Sequence, residues 1–140
     1  MFTNATIKNA RFKLRIFKVN KEGFPDVDLL NEDIIVTVKI GLKKNTIDLS
    51  KYNLSMPDEG VIIAYEWMIV EENKYVFEYK NGNKKESFIT YAPSLIVNEF
   101  EEPCGYTYRK GKWNKTLSNF NKKLQRNVFS TPAINLKLTN

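Results

Sequence analysis

Three features of this sequence have side chains of the right type and spacing to do chemistry. The first is Asp26, Asp28, Asn31, Glu32 and Asp33, the densest acidic segment. Carboxylates on a loop are hard oxygen ligands suited to Ca²⁺. Their spacing misses the EF-hand order, and Pro25 followed by Leu29-Leu30 suits a turn that packs back onto the protein. The segment is read as a solvated loop bonded to its own turn; no metal or other cofactor is expected. The second feature is Glu66, an acid inside an apolar run. If buried, it needs a cationic partner or a raised pKa, and Arg15 is a candidate partner. An exposed edge and a ligand contact are the other readings. A single carboxylate does not make a glycosidase pair, so a carboxylate-dependent hydrolase is kept only as an alternative.

The third feature is aromatic and basic. Tyr106, Tyr108, Arg109, Trp113 and Lys115 combine flat stacking surfaces with cationic donors, the chemistry of a glycan- or protein-binding face. Trp67 belongs to the most core-like segment and is expected to pack internally. The net charge is +6, unevenly placed: residues 109–140 hold eight basic side chains and no acidic one, and the preceding part is nearly neutral. Arg109, Lys110, Lys112, Lys115, Lys122, Lys123 and Arg126 interleaved with aromatics also suit single-stranded nucleic acid, the alternative partner. Gly105 and Gly111 form no phosphate loop. Histidine is absent, which excludes a His-dependent triad, His acid–base chemistry and His-ligated zinc within this chain. No catalytic residue is assigned, and the expectation is a protein that is not an enzyme.

These residues need a scaffold, and the periodicity points to strands. Phe12, Leu14 and Ile16 alternate with Lys13 and Arg15, a strand with one wet face. Phe17 and Val19 then shift the apolar phase, through a bulge or because the second face becomes covered. Strands are expected at Asp33–Ile40 and Asn45–Leu49, with a turn at 41–44 between them. Gly60–Val70 is apolar on both faces and is expected to be the central strand. Tyr75–Tyr79 and Phe88–Tyr91 bracket a turn at Asn81-Gly82-Asn83, a hairpin pattern. Tyr106–Tyr108 and Lys112-Trp113 form a second pair around Gly111. Leu117, Phe120 and Leu124 have the spacing of a short helix over 116–126, and Ile134, Leu136 and Leu138 that of a closing strand. No helical crossovers separate the early strands. The expected fold is therefore mostly β, a two-layer antiparallel sandwich in one domain over 1–140, with residues 1–10 a flexible or truncated strand region.

The runs Phe12–Val19, Gly23-Phe24-Pro25-Asp26, Leu29-Leu30, Ile47–Asn53, Pro57-Asp58-Glu59-Gly60, Glu66-Trp67 and Tyr108–Trp113 resemble a module of exported Bacteroidetes-like proteins. These are the carboxypeptidase-like regulatory-domain proteins. The resemblance implies a jelly-roll-like β-sandwich, an accessory module without peptidase activity, and a periplasmic or cell-surface location with an envelope protein or glycan as partner. The sequence itself shows no leader-like apolar segment before charge appears and no apolar run long enough to cross a bilayer as a helix. Cys104, the only cysteine, excludes an intrachain disulfide.

Overall fold

The computed structural model describes residues 1–138. Its strands are β1 (Phe2–Ala5), β2 (Ala10–Val19), β3 (Pro25–Asp28), β4 (Ile34–Val38), β5 (Gly41–Lys44), β6 (Val61–Trp67), β7 (Lys74–Asn81), β8 (Lys84–Tyr91), β9 (Ser94–Leu95), β10 (Val97–Phe100), β11 (Tyr106–Arg109), β12 (Lys112–Lys115), β13 (Asn119–Asn121) and β14 (Arg126–Pro132). Single 3-10 turns at Ser50–Tyr52 and Glu71–Asn73 complete the regular structure. The protein is mostly β-strand, arranged in several antiparallel sheets.

The long strand β2 organises the largest sheet. β4 pairs with its first half and β3 with its end, along one edge, and β6 runs along the other edge from Lys18↔Val61 to Phe12↔Trp67. The two-residue period of β2 is realised in full: Ala10, Phe12, Leu14 and Ile16 are buried, and Arg11, Lys13 and Arg15 lie on the wetter face. Against the buried face pack Ile34 and Val38 of β4, Ile63 and Tyr65 of β6, Ala5 from the sheet β5-β1-β9, and Met1 just before β1. Residues 1–10, expected to be flexible or truncated, thus supply a paired strand and part of the core. Ile47, Leu49 and Ile134 from irregular backbone, and Tyr52 from the first 3-10 turn, seal the same cluster. The register between β2 and β3 shifts at Phe17–Val19, and the second face at Phe17 is also covered by Trp113. Both causes offered for the change of apolar phase operate.

Several expectations are corrected. Gly60–Val70 does not hold a central strand: β6 is an edge, and β2 is the strand paired on both sides. Its two apolar faces arise because Ile63 and Tyr65 reach the core, whereas Ile62 lies beside Phe17 on the opposite face. Trp67, expected inside, is 55% exposed; it sits at the rim, with its indole N–H donating to the Pro93 carbonyl at 2.7 Å. The expected turn at 41–44 is strand β5, since pairing with β1 fixes the backbone although Leu42 to Lys44 remain exposed. Asn45–Leu49 is not a strand; the Asp48 carboxylate accepts from the Ser50 N–H at 2.9 Å and turns the chain into a 3-10 segment. No helix forms over 116–126. Leu117, Phe120 and Leu124 stay exposed, and Asn121 caps a turn between β13 and β14 through the N–H groups of Lys123 and Leu124. After Ile134, Leu136 and Leu138 point to solvent without a pairing partner, so the closing strand is absent.

Candidate functional site

The aromatic–basic residues meet on one hairpin. Lys110 and Gly111 both have positive φ, 52° and 80°, the pattern of a two-residue type I′ turn whose twist matches the flanking strands. The turn sets the register Tyr106↔Lys115, Thr107↔Asn114, Tyr108↔Trp113 and Arg109↔Lys112. Because directly opposed residues share a face, Tyr106, Tyr108, Trp113 and Lys115 occupy one side. Arg109, with Thr107, Lys112 and Asn114, occupies the other. Four of the five expected contact residues are thus brought together, and Arg109 is turned away from them.

That aromatic face is partly docked on the rest of the protein. Trp113 meets Phe17 edge-on at 5.2 Å and Tyr108 at 5.1 Å between ring centroids. The Tyr106 ring meets Phe24 at 5.4 Å, its hydroxyl donates to the Gly23 carbonyl, and the Lys115 ammonium stands 5.9 Å from the Phe24 ring centre. The loop receiving the hairpin is itself preorganised. Asn20 accepts through Oδ1 from the N–H groups of Glu22 and Phe24, and Gly23 adopts φ 82°. Tyr108 remains the open ring of this face, at 58% exposure. Behind the hairpin, Gly105 passes so close to β14 that an added Cβ would lie 2.9 Å from Thr131 Cγ2 and 3.0 Å from Thr116 Oγ1. The other basic residues lie elsewhere: Lys122 and Lys123 are in the β13–β14 loop, and Arg126 pairs with Glu101.

Glu66 is not buried. It lies opposite Lys13 on the wetter face of the β2 sheet and 3.6 Å from Arg15 Nε. The same Nε is 2.8 Å from Asp28, while Arg15 Nη1 is 3.1 Å and Lys13 Nζ 2.7 Å from Asp33. A hydrogen bond from Lys13, reinforced by the charges of Lys13 and Arg15, holds the Asp33 carboxyl below its ordinary value. The acidic segment therefore folds back onto β2 through Asp28 and Asp33, which lie around Arg15 and Lys13, while Glu32 pairs with Lys51 at 3.5 Å. Among the described residues, no group of three or more acids and cysteines is placed to hold a metal ion.

Two surface concavities lie away from the hairpin. One, about 230 Å³, is lined by Leu29, Leu30, Asn31, Glu32, Lys51 and Tyr52; the other, about 470 Å³, by Lys8, Asn9, Arg11, Thr37 and Glu72. The first is below the roughly 300–1,000 Å³ of small-molecule pockets, and the second is lined by polar and charged residues rather than by hydrophobic and aromatic ones.

Asn73 is the residue that sequence reasoning missed. It is fully buried. Its Nδ2 donates to the carbonyls of Arg11 and Met68, both at 2.7 Å, and its Oδ1 accepts from the Arg11 N–H at 2.8 Å. Its own carbonyl accepts from the Ala92 N–H at 2.7 Å. One amide thus takes the place of a strand partner for β2 beyond Trp67, and pins the root of β7–β8. An Asn between Glu72 and Lys74 gives no periodicity to notice; its only signal is a turn-forming residue just before a strand.

Comparison with family models, curated proteins and solved structures gives no match for this chain. No helix of the described residues is long and apolar enough to cross a membrane.

Proposed function

We propose that the chain is a non-catalytic binding module built on a two-layer, jelly-roll-like β-sandwich, and that the β11–β12 hairpin is its contact face. The envelope location and the accessory role follow from the resemblance to exported regulatory-domain modules. The observation that carries the reading is the Tyr108–Trp113 pair: an open ring braced edge-on by its cross-strand neighbour, which itself rests on Phe17. A braced ring stacks on a pyranose with little loss of side-chain entropy. Lys115 shares the Tyr108 face, Lys110 lies in the adjoining turn, and the hairpin Tyr106–Lys115 carries no acidic residue, so an acidic glycan fits better than a neutral one. The hydrolase alternative is disfavoured because Glu66, Asp28 and Asp33 are gathered around Arg15 and Lys13 rather than around a cleft.

Nucleic acid is the second reading, favoured by the acid-free basic quarter. It is weaker because stacking of successive bases requires several open rings, and Tyr106 and Trp113 are engaged with Phe24 and Phe17. Calorimetric titration with polygalacturonate, a neutral β-glucan and a 20-nucleotide oligo(dT), each at low and moderate salt, separates the readings. The expected result is polygalacturonate binding that Tyr108→Ala weakens about fivefold or more, on the order of 1 kcal/mol for the lost ring contact. Oligo(dT) binding with a steep salt dependence would favour the second reading. No binding to either, or an unaffected Tyr108→Ala variant, overturns the assignment of this face.

A further inference from the structure

The β13–β14 hairpin ends in the turn Lys122-Lys123-Leu124-Gln125, and its own side chains close that turn. Asn121 Oδ1 accepts from the N–H groups of Lys123 and Leu124 at 2.9 and 3.1 Å, and Gln125 Nε2 donates to the Lys122 carbonyl at 2.6 Å. Backbone groups satisfied in this way can approach a medium that offers no water. The side chains carried there are apolar and uncovered. Leu124 at the turn is 49% exposed, and Phe120 and Leu117 leading up to it are 59% and 83% exposed.

Strand parity sorts the surroundings by chemistry. Directly opposed residues share a face, so Asn121, Arg126 and Glu99 lie on the side of the buried Val128, and Phe120, Phe100 and Phe129 lie on the other. Glu99 accepts from the Asn121 amide, and Glu101 is paired with Arg126. Lys122 and Lys123, by contrast, make no ion pair among the described residues, and no acid occurs from residue 109 to 140. An aromatic face thus runs out to an apolar tip flanked by two uncompensated ammonium groups. Leu117 and Leu124 offer nucleic-acid bases no flat surface to stack on. A two-fold pair through this tip would set its lysines against their own copies. An anionic bilayer answers both halves of the surface, with acyl chains for the apolar side chains and lipid phosphates for the lysines.

We propose that the β13–β14 tip is a peripheral membrane contact: Leu124 and Phe120 enter the boundary between headgroups and acyl chains of an anionic bilayer, and Lys122 and Lys123 meet its phosphates. The contact shares no residue with the Tyr108 face and does not depend on the glycan reading. Flotation of the full chain with extruded vesicles tests it, using phosphatidylcholine alone and phosphatidylcholine with about 30 mol% phosphatidylglycerol, at low and moderate salt. The expected result is binding to the anionic vesicles, little to the neutral ones, and weakening as salt rises. Phe120→Ser with Leu124→Ser, and separately Lys122→Glu with Lys123→Glu, each lower the partition coefficient about tenfold or more. Lys80→Glu with Lys84→Glu makes the same charge change at the β7–β8 tip and lowers it less than about threefold, which separates this tip from the general attraction of a basic protein. Leu124→Trp adds an emission that shifts to the blue on anionic vesicles. Circular dichroism confirms that each variant folds; the lysine reversal and Leu124→Trp carry the test if the double serine variant does not. No binding to anionic vesicles, equal losses from the two charge reversals, or an unshifted Leu124→Trp emission overturns the proposal. Binding lost to the lysine reversal but kept by a folded double serine variant marks an electrostatic contact for any polyanion, nucleic acid included, and overturns it too.

Discussion

Replacing Asn73 by Ala removes three side-chain hydrogen bonds at once and leaves their backbone partners with no replacement. The carbonyls of Arg11 and Met68 and the Arg11 N–H lose the amide that served them, and the site is closed to water, since Asn73 has no exposed surface. Net hydrogen bonds are worth about 1 kcal/mol each, and an orphaned buried polar group costs about 1–3 kcal/mol. A small cavity can admit a water that recovers part of this. The expected loss is therefore about 3–5 kcal/mol, a large share of the roughly 5–15 kcal/mol that holds an ordinary domain folded. With a urea m-value of about 2 kcal/mol/M, the midpoint falls by roughly 2 M. Urea unfolding followed by tryptophan fluorescence and far-ultraviolet circular dichroism reads this directly. Asn114→Ala is the control, because its amide makes only an exposed local bond to the Lys112 carbonyl. Native-state hydrogen exchange adds location: the amides of Arg11 and Ala92 lose protection before those in the middle of β2.

Asn73→Asp sharpens the test. The new carboxyl keeps the acceptor for the Arg11 N–H but turns an oxygen toward two carbonyls. Burial and that repulsion raise its folded pKa above the unfolded value of about 3.9. A raised folded pKa gives stability that is present below the unfolded pKa and lost as pH rises through the folded one. The variant is therefore closest to wild type near pH 4 and falls furthest behind at neutral pH. A midpoint shift under about 0.5 M for Asn73→Ala, or an Asn73→Asp variant whose deficit is independent of pH, would refute the account of this amide as the stand-in for a strand.

Gly105→Ala places a methyl against Thr131 and Thr116, short branched side chains with little room to yield; overpacking of this kind costs about 1–3 kcal/mol, and thermal unfolding should show it without loss of secondary structure. Tyr65 donates to the Pro93 carbonyl, and burial pushes its phenol pKa well above the ordinary value. Its contribution is complete below the unfolded tyrosine pKa of about 10 and is lost as pH rises through the higher folded value. Tyr65→Phe should cost about 1 kcal/mol at neutral pH and make the alkaline limb of stability shallower, as measured by urea midpoints from pH 8 to 11.

Where a strand packs one face on the core, its period was legible. Phe12, Leu14 and Ile16 announced β2 because alternate positions meet water. The two hairpins around Gly82 and Gly111 were legible for a different reason: turn chemistry fixes their register locally. The failures share a cause. β5 pairs through its backbone while its side chains stay wet, so nothing in Leu42-Lys43-Lys44 alternates. The spacing of Leu117, Phe120 and Leu124 mimicked a helical stripe, but no element covers them, and an Asn121 side chain that bonds two backbone N–H groups outweighs an unused stripe. Gly60–Val70 is apolar on both faces, yet its strand β6 pairs only with β2. An edge strand carries the same pattern when a hairpin covers the end of its outer face, as Trp113 does beside Phe17.

The same distinction bears on the site. Which residues share the β11–β12 face follows from strand parity once the turn at Lys110-Gly111 is recognised, so Tyr106, Tyr108, Trp113 and Lys115 could be grouped in advance, and Arg109 separated from them. That Tyr108 alone stays open could not. It depends on Phe17 and Phe24, which are more than 80 residues away along the chain: Phe17 meets Trp113 from within β2, and Phe24 meets Tyr106 from the loop that Asn20 and Gly23 shape. Asn20→Ala therefore acts on the contact face at a distance: it loosens the loop that holds Tyr106 and Lys115 while leaving the Phe17–Trp113–Tyr108 stack in place, so polygalacturonate titration should show a smaller loss than Tyr108→Ala gives.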